Sequence, residues 1–170
     1  MRRTLILFLA LLVLWGVVTQ VNHAVTGWRV YVFVGGLFVA YAALTQPLRP
    51  GLATSLLAGL VFDANAPAEI AGTHTLLFAA AHLAVVKLRD RVPRDDTIGR
   101  VVIALLTNLA LFLAFSFTQI GRAPVPAAAW PRLLTDLVVS QVFLALVAPW
   151  YFALQTRALV LARVERDNSA

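Results

Sequence analysis

The sequence predicts an all-α, polytopic membrane protein of six transmembrane helices, and three observations predict it. Of 170 residues, 61% are apolar and 13% charged, whereas soluble domains run at roughly half apolar and a quarter charged. Mean hydropathy is +0.84. Six apolar runs of transmembrane character follow one another with short connections, leaving no room for a soluble domain, and the segments between them alternate between rich and poor in Lys and Arg.

A transmembrane helix needs about 20 predominantly apolar residues, with a range of about 17 to 25. The first run, residues 4–21, follows Arg2 and Arg3 and stops at Asn22 and His23. It is longer than the apolar core of a signal peptide and has no small-residue cleavage site after it, so it is expected to remain as a span. The second, 30–44, lies between Trp28-Arg29 and the Pro- and Gly-containing break from Gln46 to Gly51. The third, 51–64, is too short to cross without help from its flanks, and if it were re-entrant the termini would lie on opposite sides. The fourth and fifth are 72–87 and 98–118; the sixth, 133–155, contains Pro149, which predicts a kink and a freed carbonyl.

Cytoplasmic loops carry the excess of Lys and Arg, which orients the chain. With the N-terminus inside, eleven of the 14 Lys and Arg residues fall inside, and only Arg29, Arg122 and Arg132 outside. The same arrangement puts Trp28, Tyr31 and Trp130 at one interface and Tyr41, Trp150 and Tyr151 at the other, as aromatic belts. The net charge of +6 is thus interleaved with apolar runs and forms no nucleic-acid-binding face. The inner loop from Lys87 to Arg100 is mixed in sign and reads as a solvated, topology-fixing turn, with contact to anionic lipid or a cytoplasmic partner as the alternative.

The absence of cysteine excludes disulfides, thiolate catalysis and Cys-based metal sites in this chain. Ionisable groups at membrane depth are costly and mark candidate sites. Asp63 lies four residues after Gly59, on the same face, at a helix C-terminus where the macrodipole disfavours an anion. It therefore calls for a cation, a hydrogen-bond donor or a second protein, or else reaches headgroup water. His74 follows Gly72 across the turn and is a candidate partner; His82, eight residues on, reads as an interhelical donor. One Asp and two His fall short of a zinc site. Thr54, Ser55, Thr107, Ser116 and Ser140 show no adjacent base with a supporting acid, so no catalytic set, metal or cofactor is expected. Asn108, Asp136 and Gln141 read as hydrogen bonds between helices, with Arg132 and Asp136 spaced as a same-face pair. Close helix approach is expected at Gly35-Gly36-Ala40, at Ala53, Ala58 and Gly59, and at Ala80 and Ala84.

The stretch from Tyr41 to Lys87, YAALTQPLRPGLATSLLAGLVFDANAPAEIAGTHTLLFAAAHLAVVK, resembles the rod shape-determining MreD family of bacteria. The matching features are Tyr41 and Pro47 at an inner turn, Gly59, Leu60 and Asp63 closing a short helix, Gly72 opening the next, and Pro149-Trp150 in the last helix before a basic tail. His74 departs from the more apolar continuation usual in that family. The resemblance implies a non-catalytic scaffold subunit in the bacterial cytoplasmic membrane, both termini cytoplasmic, that binds the bitopic protein MreC. Through it the chain would join MreB, the RodA glycosyltransferase and a class B penicillin-binding protein in lateral peptidoglycan synthesis and rod shape. The family also looks like the substrate-binding membrane subunits of energy-coupling-factor transporters, which makes a small-molecule-binding transporter subunit the alternative. On the scaffold reading, replacing Asp63 is expected to weaken partner association more than the bundle itself.

Overall fold

The computed structural model describes residues 2–65, 72–89, 97–120 and 126–162, without the side chains of 119 and 126–128. Among these residues the chain forms six α-helices: α1 Arg2–Val25, α2 Gly35–Thr45, α3 Leu48–Asn65, α4 Thr73–Arg89, α5 Thr97–Ile120 and α6 Pro126–Leu161. A single 3-10 turn, Thr26–Trp28, follows α1. Three of these helices, α1, α5 and α6, are long and apolar enough to cross a membrane, and α2 is a shorter apolar helix.

Burial runs inside-out. Leu5, Leu9, Val13 and Val17 of α1, Val102 and Leu106 of α5, and Leu134, Val138, Val142 and Leu146 of α6 are all exposed, in stripes about one helical turn apart. Asn108, Asp136, Ser140, Ser55 and His82 are buried. Apolar surface outside and hydrogen-bonding groups inside is the arrangement that lipid rewards and water does not.

α2 sits in the middle. Every residue from Gly35 to Ala43 is buried, and the helix packs against α3, α4, α5 and α6. Such a helix has no polar face to present, which is why its sequence, GGLFVAYAALT, has no helical periodicity. Its length is about 16 Å. The rest of the expected second span is not helical: Val30–Val34 forms no regular secondary structure before the helix begins. Valine, tyrosine and phenylalanine in succession favour extended backbone, and Gly35-Gly36 then starts the helix.

The other boundaries move outward. α1 continues past Asn22 and His23 to Val25, because the Asn22 side chain has a partner in the non-helical segment. α3 begins at Leu48 rather than at 51, since Pro50 occupies its first turn, where a missing N–H costs nothing. Its 18 residues span about 27 Å. α6 covers 36 residues, about 54 Å, running through both Pro131 and Pro149 without interruption. Pro149, lacking an N–H, donates no backbone bond to the carbonyl of Ala145, an exposed residue.

Close approaches occur where small residues were expected, with one exception. A Cβ at Gly36 would collide with the backbone of Asn108 on α5, and one at Gly59 with that of Thr75 on α4. Gly51 on α3 lies against the Ala42 carbonyl and the His82 ring, at 2.7 and 2.9 Å from where its Cβ would stand. Ala80 and Ala84 instead face outward and join no helices.

Candidate functional site

Non-helical backbone inside an apolar bundle must find partners for its N–H and C=O groups, each costly when orphaned. Val30–Val34 finds them on three helices. Asn22 of α1 accepts from the Val32 N–H at 2.7 Å and donates to the Val32 carbonyl at 3.0 Å. From α6, Asp136 accepts from the Tyr31 N–H at 2.9 Å, and Ser140 Oγ accepts from the Phe33 N–H at 2.9 Å. On α5, the Asn108 amide donates to the Phe33 carbonyl at 3.1 Å and accepts from the Gly36 N–H at 3.0 Å.

Of these four side chains, Asn108 and Asp136 were expected to bond helix to helix or, for Asp136, to lie near headgroups; Asn22 was expected only to end the first span, and Ser140 was noted only as a hydroxyl without an adjacent base. All four bond to the non-helical backbone of residues 31–33, Asn108 also bonds α5 to α2 through the Gly36 N–H as expected, and Asp136 is buried. The Asp136–Arg132 pairing is present but long, 3.9 Å, with Arg132 well exposed. Gln141 alone behaves as expected, donating to the Leu105 carbonyl of α5 at 3.2 Å.

The second cluster closes the α3–α4 hairpin. Asp63 Oδ1 accepts from the His74 backbone N–H and pairs with His74 Nδ1, both at 2.9 Å. Its Oδ2 accepts from the Thr75 N–H at 3.1 Å and the Thr75 hydroxyl at 2.6 Å. The anion that is misplaced at the C-terminus of α3 is therefore well placed at the N-terminus of α4, where first-turn N–H groups lack helical partners. Gly72, with φ +91°, makes the turn into α4. The His74 ring stacks on Phe115 of α5 with centroids 4.2 Å apart. Phe33 meets that pair edge-on, Phe62 and Phe78 meet it tilted, and Phe112 packs edge-on against Phe33.

Of the residues singled out in the sequence, Gly59, Asp63, Gly72 and His74 meet at this one junction. Pro47 and Pro149 lie elsewhere: Pro47 is exposed between α2 and α3, where its carbonyl accepts from the Gly51 N–H at 3.0 Å, and Pro149 is inside α6. Glu69 and the rest of 66–71, the inner loop 90–96, Arg122, and Arg163 and Arg166 lie outside the described residues.

Two sequence readings need correction. Tyr41 and Tyr151 were expected in an interfacial belt, but they are only 3% and 4% exposed, whereas Trp28 and Trp150 are 81% and 79% exposed. Tyr41 lies 3.2 Å from the Thr156 hydroxyl, and Tyr151 accepts from Gln155 at 2.6 Å. A Ser–His pair was also missed: Ser55 Oγ on α3 is 2.9 Å from His82 Nδ1 on α4. The residues are 27 apart in sequence and meet only through the hairpin, so no local spacing announced them. Both are fully buried, and His82 Nε2 has no protein partner. Among the described residues no group of three or more His, Asp or Glu side chains is arranged to hold a metal ion.

The fold defines an all-helical protein with three helices suited to a membrane, organised around a buried half-helix. No family model, curated protein or solved structure matches the chain.

Proposed function

We propose that the chain is a six-crossing integral membrane protein, a scaffold subunit of the bacterial rod complex that binds MreC and supports lateral peptidoglycan synthesis. The observation that carries this reading is the α3–α4 hairpin. The residues on which the MreD resemblance rests most heavily, Gly59, Asp63 and Gly72, act there as one device: a close helix contact, a helix cap and a turn. A motif whose order and spacing produce a single structural lock is a stronger basis than the same residues scattered.

Six crossings are consistent with the lengths. α3 extends about 27 Å and α2 about 16 Å, against a hydrocarbon core of about 30 Å, so α2 crosses only with Val30–Val34 completing the path. Non-helical backbone at that depth is tolerated where protein surrounds it and satisfies its polar groups. The charge bias then puts both termini on the cytoplasmic side of the cytoplasmic membrane.

A transporter subunit needs polar groups converging on a ligand. The candidates Asp63 and Asp136 are instead engaged with this chain's own backbone, and the His74 ring with Asp63.

Co-expression with MreC from the same organism, a tag on one protein and a pull-down from mild detergent tests the proposal. Co-purification that survives washing is the expected result. Loss of MreC while the tagged chain stays folded would overturn the scaffold reading and move attention to small molecules carried through purification.

A further inference from the structure

Exposed cations flank the outward apolar stripes more densely at one end of the bundle, where there are four among the described residues, than at the other, where Arg29 and Arg132 are exposed. Arg2 precedes Leu5 and Leu9 on α1, Lys87 follows Leu83 on α4, and Arg157 follows Trp150 and Leu154 on α6; Arg49 is exposed at the start of α3. Contacts within the bundle bring the ends of α2, α4 and α6 to one level. The Arg89 side chain donates to the Gln46 carbonyl at 3.2 Å, tying the end of α4 to the end of α2, and Tyr41 reaches Thr156, tying α2 to the last turns of α6.

The opposite end differs in charge. In the sequence, Arg29, Arg122 and Arg132 are matched there by Asp63, Glu69 and Asp136, so the whole net charge of +6 belongs to the segments at the cationic end. Asp63 and Asp136 are moreover turned inward onto backbone. On α6 the order along one face is apolar residue, exposed Trp150, Leu154, then Arg157. That sequence follows the layers of a leaflet from acyl chain through headgroup to phosphate.

From this arrangement we infer that the ring of Arg2, Arg49, Lys87 and Arg157 gathers anionic phospholipid headgroups around the bundle, making the protein a selective ligand for acidic lipid in one leaflet. The inference rests on the membrane-spanning part of the proposed function and not on MreC. Charge complementarity selects the occupant. A phosphodiester headgroup without a compensating amine gains from several cations at once, whereas a zwitterionic headgroup presents its own cation to the ring.

The experiment is reconstitution into nanodiscs containing equal amounts of phosphatidylglycerol and phosphatidylcholine, followed by mild detergent extraction and mass spectrometry of the lipids that remain bound. The wild-type chain is expected to retain phosphatidylglycerol at roughly fivefold its share of the mixture, falling as salt is raised. Replacing all four cations by Gln should bring retention to the mixture's ratio, and replacing the three arginines by Lys should preserve it. Equal retention of both lipids by the wild type overturns the inference, as does enrichment that the Gln variant leaves unchanged. Failure of the folded wild-type chain to enter nanodiscs at all overturns the membrane reading beneath it, which is a different and separately visible outcome.

Discussion

Asn108 and Gly36 form a contact in which packing and hydrogen bonding cannot be separated. The Asn108 side chain accepts from the Gly36 N–H at 3.0 Å, and the backbones are so close that a Cβ on residue 36 would overlap Asn108 main-chain atoms. Gly36→Ala therefore forces α2 and α5 apart and stretches that bond. A loss of about 3 kcal/mol or more is expected, at the upper end of overpacking effects because the obstacle is backbone. Gly16→Ala on α1, where nothing lies within 4 Å, should be neutral or raise stability by up to about 1 kcal/mol. Thermal unfolding of the two variants in the same detergent checks the pair; equal melting temperatures would refute the close approach.

Removing the Asn108 side chain tests the non-helical segment directly. Asn108→Leu keeps the volume and orphans both the Gly36 N–H and the Phe33 carbonyl. With two buried backbone groups unsatisfied, a loss of about 3 kcal/mol is expected. Gln141→Leu is the contrast, because the Leu105 carbonyl it meets lies within a helix and the Gln141 Oε1 is buried without a partner. That substitution should cost less than about 1 kcal/mol. Denaturant titration of both would expose the difference, and similar losses would mean that Asn108 serves as ordinary interhelical glue.

The contrast between Asn108 and Gln141 also explains what the sequence could and could not reveal. Apolar runs located six helices, four of them to within about four residues, because burial in either lipid or protein demands the same composition; α2 begins five residues later than expected and α6 runs six or seven residues further at each end. Hydropathy could not separate non-helical Val30–Val34 from the helix after it, since valine and phenylalanine are equally apolar in both; only their β-branched and aromatic character hinted at the change. Asn108 and Asp136 stood out as polar residues at depth, whereas Asn22 read only as the end of a span and Ser140 only as an isolated hydroxyl. Their common partner did not stand out, because backbone carries no sequence signature. Asp63 and His74 were legible as a pair across a short turn, whereas Ser55 and His82 were not.

Asp63 should matter to the bundle more than to a partner, contrary to the sequence expectation. All four of its hydrogen bonds are made within the chain, to His74 and Thr75. Asp63→Ala leaves first-turn N–H groups of α4 uncapped, with an expected cost of about 2 kcal/mol. Gly72→Ala, at φ +91°, should cost about 1 kcal/mol or more through backbone strain at the same turn. MreC capture at a temperature where each variant stays folded should match wild type. Weakened capture by a variant with an unchanged melting temperature would return Asp63 to a partner-facing role.

The crossing of α2 decides the topology, because its helix alone is about half the length a bilayer requires. If Val30–Val34 completes the crossing, Trp28 and Arg49 lie on opposite sides of the membrane. If the segment only dips and returns, they lie on the same side and the parity of every later helix changes. Since the chain has no cysteine, single replacements at these positions report cleanly. In intact cells whose outer surface is open to a membrane-impermeant maleimide, Trp28→Cys is expected to react. Arg49→Cys and Arg157→Cys should react only after permeabilisation, which places α2 across the membrane and the end of α6 on the cytoplasmic side. Labelling of Arg49→Cys from outside would mean that the hydrogen-bonded segment at Val30–Val34 anchors a re-entrant half-helix rather than a crossing one.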